Sequence, residues 1–120
     1  MITSKYFKDS EFKKCSPACS LQYMEQSTMD MLDKAREIAG IPFVLNSAYR
    51  TPVWDKSRGR SGTGAHTLGC AVDIRCRTLD NRYKIVAALI QAGFRRIGIA
   101  EEYIHADNSS KHQSGIIWMY

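Results

Sequence analysis

The sequence predicts an α+β domain in which two main helices pack on a small mixed or antiparallel sheet of about four strands. Two segments place apolar residues at three- and four-residue steps, which is the period of a helix buried on one face. Short apolar segments follow these helices, as expected of strands. The chain has 120 residues, of which 44% are hydrophobic and 24% charged. We therefore expect residues 1–120 to form a single domain with one core.

The two helical segments both end at a glycine. Residues 20–40 repeat apolar side chains on one face, and Gly40 is well placed to end that helix. A second helix is expected to begin after the capping residue Thr78 and to stop at Gly93. The predicted buried faces comprise Leu21, Met24, Thr28, Met31, Leu32, Ala35 and Ile38 in the first helix, and Tyr83, Val86, Leu89 and Ile90 in the second.

Four short segments predict the strands. Residues 41–45 and 71–74 are apolar and rich in branched side chains. A third strand is expected within 96–106 and a fourth within 115–120. The intervening segment 51–65 is rich in Pro, Ser, Gly, Arg and Lys, which predicts a long surface loop. Long loops in compact domains are often functional.

The formal net charge is +5, which favours anionic partners of several kinds. The basic residues are scattered, apart from Lys56, Arg58 and Arg60 in one loop and Arg95 and Arg96 in another. No arginine-rich helix or aromatic RNA-binding signature accompanies them. We therefore expect no nucleic-acid partner, and we expect the protein to act as a monomer.

No apolar run reaches the roughly 18 to 20 residues that a membrane helix needs. Residues 1–14 carry charges throughout, without the hydrophobic stretch of a signal peptide. We expect a protein that is cytoplasmic at synthesis and has no membrane partner. An extracellular substrate would then be reached by lysis, by a phage-type release route or within a larger assembly.

The four cysteines, at positions 15, 19, 70 and 76, have spacings that fit a structural zinc site poorly. We expect buried or half-buried free thiols, as in a protein made in a reducing compartment. A bridge between Cys15 and Cys19 stays open for an oxidising environment.

Only three histidines are present, at positions 66, 105 and 112. His66 precedes Asp73 by seven positions, which would separate the two side chains by about 10 Å on a helix and aim them at opposite faces of a strand. Binding one ion therefore requires a bend, and Gly69 is the residue that permits it. With His105 as a third ligand, the set is two imidazoles and one carboxylate. Three protein ligands and an open fourth position are typical of catalytic zinc.

These residues belong to an ordered set of motifs that spans most of the chain: Phe7-x4-Phe12, Ser47-Ala48-Tyr49-Arg50, His66-x2-Gly69-x-Ala71-x-Asp73, His105-x-Asp107 and Trp118. The set resembles the zinc D-alanyl-D-alanine carboxypeptidase family, whose relatives include phage L-alanyl-D-glutamate endopeptidases and VanX-type dipeptidases. Hedgehog signalling domains and lysostaphin-type enzymes share the wider architecture. Many of these relatives carry serine two positions before the first histidine ligand, where this chain has Gly64.

The resemblance implies zinc ligands at His66, Asp73 and His105. It also implies an arginine near the reaction centre, at Arg50, whose guanidinium suits a substrate carboxylate or a developing oxyanion. Asp107, after the last ligand, is expected to be a hydrogen-bond acceptor that supports the site rather than a fourth ligand.

The resemblance places the general base three residues before the last ligand, at Glu102. Strand alternation favours Glu101 instead, because residues 101 and 105 share a face of an unbroken strand. A bulge or a strand end would reverse that argument in favour of Glu102, which is our choice. His112 has no family counterpart, and we expect a surface residue or a contact to substrate.

The implied function is hydrolysis of a peptide bond in peptidoglycan stem peptide by a zinc metallopeptidase. The resemblance leaves open a D-Ala-D-Ala carboxypeptidase and an L-Ala-D-Glu endopeptidase. The alternative from another class is a non-catalytic zinc-containing binding or structural module, such as a phage virion component, because fold alone does not fix function.

Overall fold

The computed structural model describes all residues, 1–120. The helices are α1 (Asp9–Lys13), α2 (Gln26–Ala39), α3 (Pro52–Ser57) and α4 (Leu79–Ala92), with short 3-10 helices at Leu21–Tyr23 and Ala65–Leu68. The strands are β1 (Leu45–Ser47), β2 (Ala71–Arg75), β3 (Arg96–Ile99), β4 (Tyr103–Asp107) and β5 (Ile116–Met119). This combination of two long helices and a mixed sheet confirms the predicted α+β class, with five strands instead of about four.

The strands form one sheet in the order β1-β2-β4-β3-β5. Neighbours are antiparallel except β3 and β5, which are parallel. The single strand expected within 96–106 is a hairpin, because a tight turn at residues 100–102 separates β3 from β4. The Ala100 N–H donates to the Tyr103 carbonyl across that turn (3.0 Å). β4 is therefore the middle strand, and most residues of β4 and its neighbour β2 are buried.

The first predicted helix is shorter than expected. Ser20 caps the 3-10 helix at Leu21–Tyr23, and α2 begins only at Gln26. The interruption has a tertiary cause, because the extended residue Glu25 donates its N–H to the Gly69 carbonyl (2.8 Å). Gly40 ends α2, and Thr78 and Gly93 bound α4, as predicted.

The buried face of α4 is rotated from the predicted one. Tyr83 and Ile90 are 77% and 50% exposed, whereas the residues buried on α4 are Ile85, Ala88, Leu89 and Ala92. This face packs against α2, whose buried residues are Thr28, Met29, Leu32 and Ala35. Alanines on both faces let the two helices approach closely, which apolar periodicity alone does not reveal.

Two segments differ from the expected strand and loop. The strand expected at 41–45 begins only at Leu45, and its pairing with β2 is shifted between Leu45 and Ser47. The segment 51–65 is not all loop, because Thr51 caps α3 and Pro52 occupies its first turn. Proline is favoured there because its missing N–H is unpaired in any helix.

The four cysteines are free and buried, as expected. Among the helices, none combines the length and the apolar character that a membrane span requires.

Candidate metal centre

The three predicted ligands come from three separate elements that meet at the centre of the sheet. Asp73 lies in β2 directly opposite His105 in β4. His66 lies in the 3-10 helix that precedes β2, and Gly69 ends that helix with a φ of +73°. A side chain at Gly69 would collide with the Tyr23 carbonyl oxygen. The bend predicted between His66 and Asp73 is therefore present and needs glycine.

The ligand atoms of these three residues lie within 4.8 Å of one another. His66 Nε2 is 3.4 Å and His105 Nδ1 is 3.1 Å from Asp73 Oδ1. All three side chains are buried. The sequence thus identified a cluster that could hold one metal ion.

Hydrogen bonds on the far side of each imidazole fix which nitrogen is free. His66 Nδ1 lies 2.6 Å from the Ala48 carbonyl oxygen, and His105 Nε2 lies 2.6 Å from Asp107 Oδ2. A carbonyl and a carboxylate can only accept, so each of these nitrogens carries a proton. The lone pairs of His66 Nε2 and His105 Nδ1 are then available for a metal.

Asp107 lies behind His105, where the resemblance implies a supporting acceptor. Its carboxylate is fully buried, and it accepts hydrogen bonds from Arg96 Nε (2.7 Å) and from the Ser109 N–H (3.1 Å) in addition to His105. These donors hold the carboxylate in the orientation that His105 requires.

Replacement of Asp107 by Asn should weaken zinc binding by about 10- to 100-fold without abolishing it, because such supporting groups orient and polarise a ligating imidazole. Competition against a chromophoric chelator measures the affinity, and circular dichroism monitors folding. The exposed Asp80→Asn variant is the control. Unchanged affinity in a folded Asp107→Asn protein would contradict the supporting role.

Arg50 lies at the site as expected. Its Nη2 is 3.3 Å from Asp73 Oδ2, and its Nε donates to Ser47 Oγ (3.1 Å). The backbone N–H of Arg50 also donates to the His66 carbonyl (3.1 Å). The side chain is only 13% exposed. Arg50 therefore brings a fixed positive charge to the edge of the cluster.

The charges of the cluster suit a bound cation. Burial disfavours the charged form of Asp73, but hydrogen bonds and charges from His105 and His66 outweigh it and hold the pKa of Asp73 far below its usual range. Burial also lowers the pKa of His105, but the carboxylates of Asp107 and Asp73 outweigh it and raise that pKa above 6.5.

A raised pKa of His105 means that a proton competes with the metal for Nδ1. The proton stabilises the metal-free fold at low pH and leaves as the pH rises through the folded-state pKa. Zinc affinity should therefore rise with pH and should fall about tenfold for each pH unit below that pKa, for one displaced proton. Competition titrations at a series of pH values measure this slope. His112→Gln should keep the slope, and a pH-independent affinity would contradict the role of His105.

The structure does not bring Glu102 into the site. Its side chain is 71% exposed, and its Oε1 lies 3.8 Å from Arg77 Nε. Strand β4 alternates without a bulge: Ile104 and Ala106 belong to the core, while Tyr103, His105 and Asp107 face the cavity. Glu102 lies just before the first residue of β4, and this strand end does not turn its side chain towards the ligands, so the expected base lies outside the cavity. Glu101 does not replace it, because it is exposed in the turn before β4.

The ligands open onto a cavity of about 250 Å³. Its lining includes Arg60, Arg96, Tyr103 and Tyr120, whose place at the site the sequence did not indicate. It also includes Trp118, a member of the motif set, and His112, for which a substrate contact was one of two expectations. The indole of Trp118 lies 5.3 Å from the His105 ring, between centroids. Gly98 makes this possible, because a Cβ there would approach Trp118 Nε1 to 2.6 Å. Alternation along β4 could have identified Tyr103, but the aromatic residues of β5 depend on its long-range pairing with β3.

The fold and the cavity together define a small α+β domain with a candidate mononuclear metal centre that opens to solvent on one side. A family model described as Peptidase M15 matches residues 5–107. The chain therefore belongs to the M15 peptidase family, and this confirms the resemblance drawn from its motifs. All three candidate ligands lie within the matched range. No curated protein matches the sequence.

Proposed function

We propose that this protein is a zinc-dependent peptidase that hydrolyses a peptide bond in peptidoglycan stem peptides. The observation that carries the proposal is the convergence of His66 Nε2, Asp73 Oδ1 and His105 Nδ1 beside a cavity. Membership of the M15 peptidase family supports the reaction type. The bacterial cell wall is the proposed site of action.

The donor set fits zinc. Two imidazole nitrogens and one carboxylate oxygen are ligands that zinc prefers, and their number leaves a position for solvent or substrate. Each imidazole has the hydrogen bond on its far side that metal-ligating histidines need. When bound, zinc makes water a stronger nucleophile near neutral pH and polarises the carbonyl of the peptide.

Side chains around the cluster have distinct proposed roles. Arg50 holds Asp73 through Nη2 and keeps further N–H groups that can donate to the oxygen of the attacked carbonyl. Burial and the Asp73 charge raise the pKa of the Tyr103 phenol, so it stays a protonated hydrogen-bond donor at neutral pH. Both donors line the cavity, Tyr103 from β4 and Arg50 from the segment that follows β1.

Proton transfer is assigned to His112, since Glu102 lies outside the cavity. His112 lines the cavity, and its Nδ1 lies 2.7 Å from Ser109 Oγ. Ser109 in turn donates its N–H to Asp107, so the imidazole is tied to the network behind His105. Histidine is the side chain best suited to accept and release protons near neutral pH. In this role, His112 takes a proton from the attacking water and delivers it to the leaving amine.

One observation favours the alternative, a non-catalytic zinc-binding module. The only carboxylates that line the cavity are Asp73 and Asp107, and both are engaged by basic side chains. A cavity without a free carboxylate lacks the usual general base of a zinc peptidase.

Digestion of purified peptidoglycan separates the two functions. The zinc-loaded protein, a chelated sample and a chelated sample with zinc restored are incubated with the wall, and mass analysis identifies the released ends. Loss of a terminal D-alanine indicates a carboxypeptidase, whereas new ends between L-alanine and D-glutamate indicate an endopeptidase. A protein that binds zinc tightly and releases nothing supports the non-catalytic alternative.

A further inference from the structure

The connection between β1 and β2 contains a buried carboxylate that the metal centre does not use. Asp55 of α3 is only 3% exposed, although its neighbours on this short helix are mostly exposed. Its Oδ2 accepts the N–H of Gly62 (3.0 Å), and its carbonyl accepts the N–H groups of Arg58 and Arg60 (3.1 and 3.2 Å). A buried charge needs such partners. Asp55 thereby folds residues 58–62 back onto α3.

This folded loop places Arg60 at the cavity that contains the metal ligands. The Arg60 Nε lies 3.9 Å from Asp55 Oδ1, within ion-pair range but too long for a hydrogen bond. Half of the side chain is exposed. Arg60 is therefore oriented by Asp55 while its guanidinium donors stay available.

Three arginine side chains lie close to the indole of Trp54, in the same region of the protein. The guanidinium carbons of Arg58, Arg50 and Arg60 lie 4.8, 5.7 and 5.9 Å from its ring centroid. Such contacts hold guanidinium groups over an aromatic face without consuming their hydrogen-bond donors. Of the three, only Arg50 and Arg60 line the cavity.

The other cavity arginines are already engaged. Arg50 contacts Asp73, and Arg96 donates to Asp107 and to the Gln113 carbonyl. Burial raises the pKa of the Tyr103 phenol, and the charges of Arg50 and Arg60 oppose that rise, so both guanidiniums act on the same wall of the cavity. Arg60 is thus the cavity arginine whose guanidinium donates no hydrogen bond within the protein.

We propose that Arg60, positioned by Asp55 and Trp54, binds a carboxylate of the substrate beside the scissile bond and makes the enzyme prefer acidic to amidated peptides. This inference rests on the proposed peptidase function. Two carboxylates of a stem peptide have the required chemistry: the carboxylate at the peptide terminus and the free carboxylate of its glutamyl residue. An arginine guanidinium binds either one through paired N–H groups.

The test compares peptides that differ only in one carboxylate. One pair ends in a free carboxylate or a carboxamide, and the other carries D-glutamate or its amide within the chain. Both kcat/KM and calorimetric binding are measured for the wild type, Arg60→Gln and the matched control Arg58→Gln, which changes an arginine on the same indole outside the cavity lining. The pair that shows an acid preference in the wild type identifies which carboxylate is bound.

The acid-to-amide ratio should fall about ten- to a hundredfold in Arg60→Gln, mainly through KM, which is the range for loss of a charged hydrogen bond. Arg58→Gln should keep the ratio within about twofold, and Arg60→Lys should restore part of it. Asp55→Asn tests the positioning role, since it should lower the ratio while circular dichroism shows a folded protein.

An acid preference that persists in Arg60→Gln, or a wild type without any acid preference, would overturn the inference while leaving the peptidase function intact. If the wild type cleaves no stem peptide, the proposed function fails, and calorimetry then decides the inference separately. Tighter binding of the acidic peptide that disappears in Arg60→Gln would still support it, whereas equal binding of acid and amide would overturn it.

Discussion

Replacement of Asp73 by Asn should remove zinc and hydrolysis together. Asp73 contacts both histidine ligands and Arg50, so a neutral amide leaves two imidazoles as the only metal donors and Arg50 without its charge partner. Metal activation supplies several kcal/mol of transition-state stabilisation, and its loss should lower kcat/KM by about a thousandfold or more. Zinc content by atomic absorption and release of peptide from the wall measure the two effects.

The same substitution tests whether the cluster is a metal centre or only an ion-pair network. Asp30→Asn, which changes an exposed carboxylate on α2, is the matched control and should keep zinc and activity. Removal of one partner from a buried ion pair typically costs about 3 to 5 kcal/mol, so melting of Asp73→Asn is followed in parallel. A folded Asp73→Asn protein that retains one zinc per chain would exclude this cluster as the metal site.

Glu102→Gln and His112→Gln should have opposite outcomes. Glu102 is exposed in a turn and pairs only with Arg77, so its amide should retain activity within about twofold, as expected of a surface change. His112 lines the cavity, and loss of a proton-transfer group should lower kcat by about 100- to 10,000-fold. Both variants should keep zinc, because neither residue is a ligand.

The pH dependence of kcat separates proton transfer from a merely structural role of His112. The His112→Gln variant should lose the dependence of kcat on one titrating group, whereas Lys111→Gln, which changes an exposed neighbour, should keep it. If Glu102→Gln is inactive and His112→Gln is active, the general base is Glu102 and not His112. The turn at residues 100–102 would then have to rearrange when substrate binds.

The three candidate metal ligands could be predicted from the sequence because each depends on local constraints. His66 and Asp73 need one bend, and a single glycine between them provides it. The opposition of Asp73 and His105 requires only that two short apolar segments pair in one register. Motif resemblance then selected His66 and His105 from the three histidines and joined Asp73 to them, and the structure brings their ligand atoms together.

The proposed proton-transfer group, His112, could not be predicted in the same way. The resemblance assigns Glu102 by position along the chain, but side-chain direction depends on where β4 begins and on the absence of a bulge. β4 begins at Tyr103, so Tyr103 occupies the face that a base would need. His112 gave no local signal, because its approach to the cavity depends on a hydrogen bond to Ser109 and on the course of residues 108–115.

The predicted helix bounds and buried faces were wrong where contacts between distant residues override the local sequence pattern. The hydrogen bond from Glu25 to Gly69 shortens α2, and packing of α4 on α2 selects Ala88 and Ala92 over Tyr83. In contrast, α3 had a local signal, since Thr51 followed by Pro52 is a recognised helix start. The Ser, Gly and charged residues that fill the rest of that segment favour a loop instead.

β5 is an edge strand of the sheet, and its pairing determines which side chains line the cavity. This outer strand is held to the sheet through β3 alone, and it presents Trp118 and Tyr120 to the cavity while Ile117 and Met119 face solvent. A slip of one residue along β3 would exchange these two sets of side chains. Aliphatic side chains would then replace the aromatic ones that line the cavity, although His66, Asp73 and His105 had not moved. A change in the pairing of β5 would therefore alter one wall of the cavity without changing which residues form the candidate ligand set.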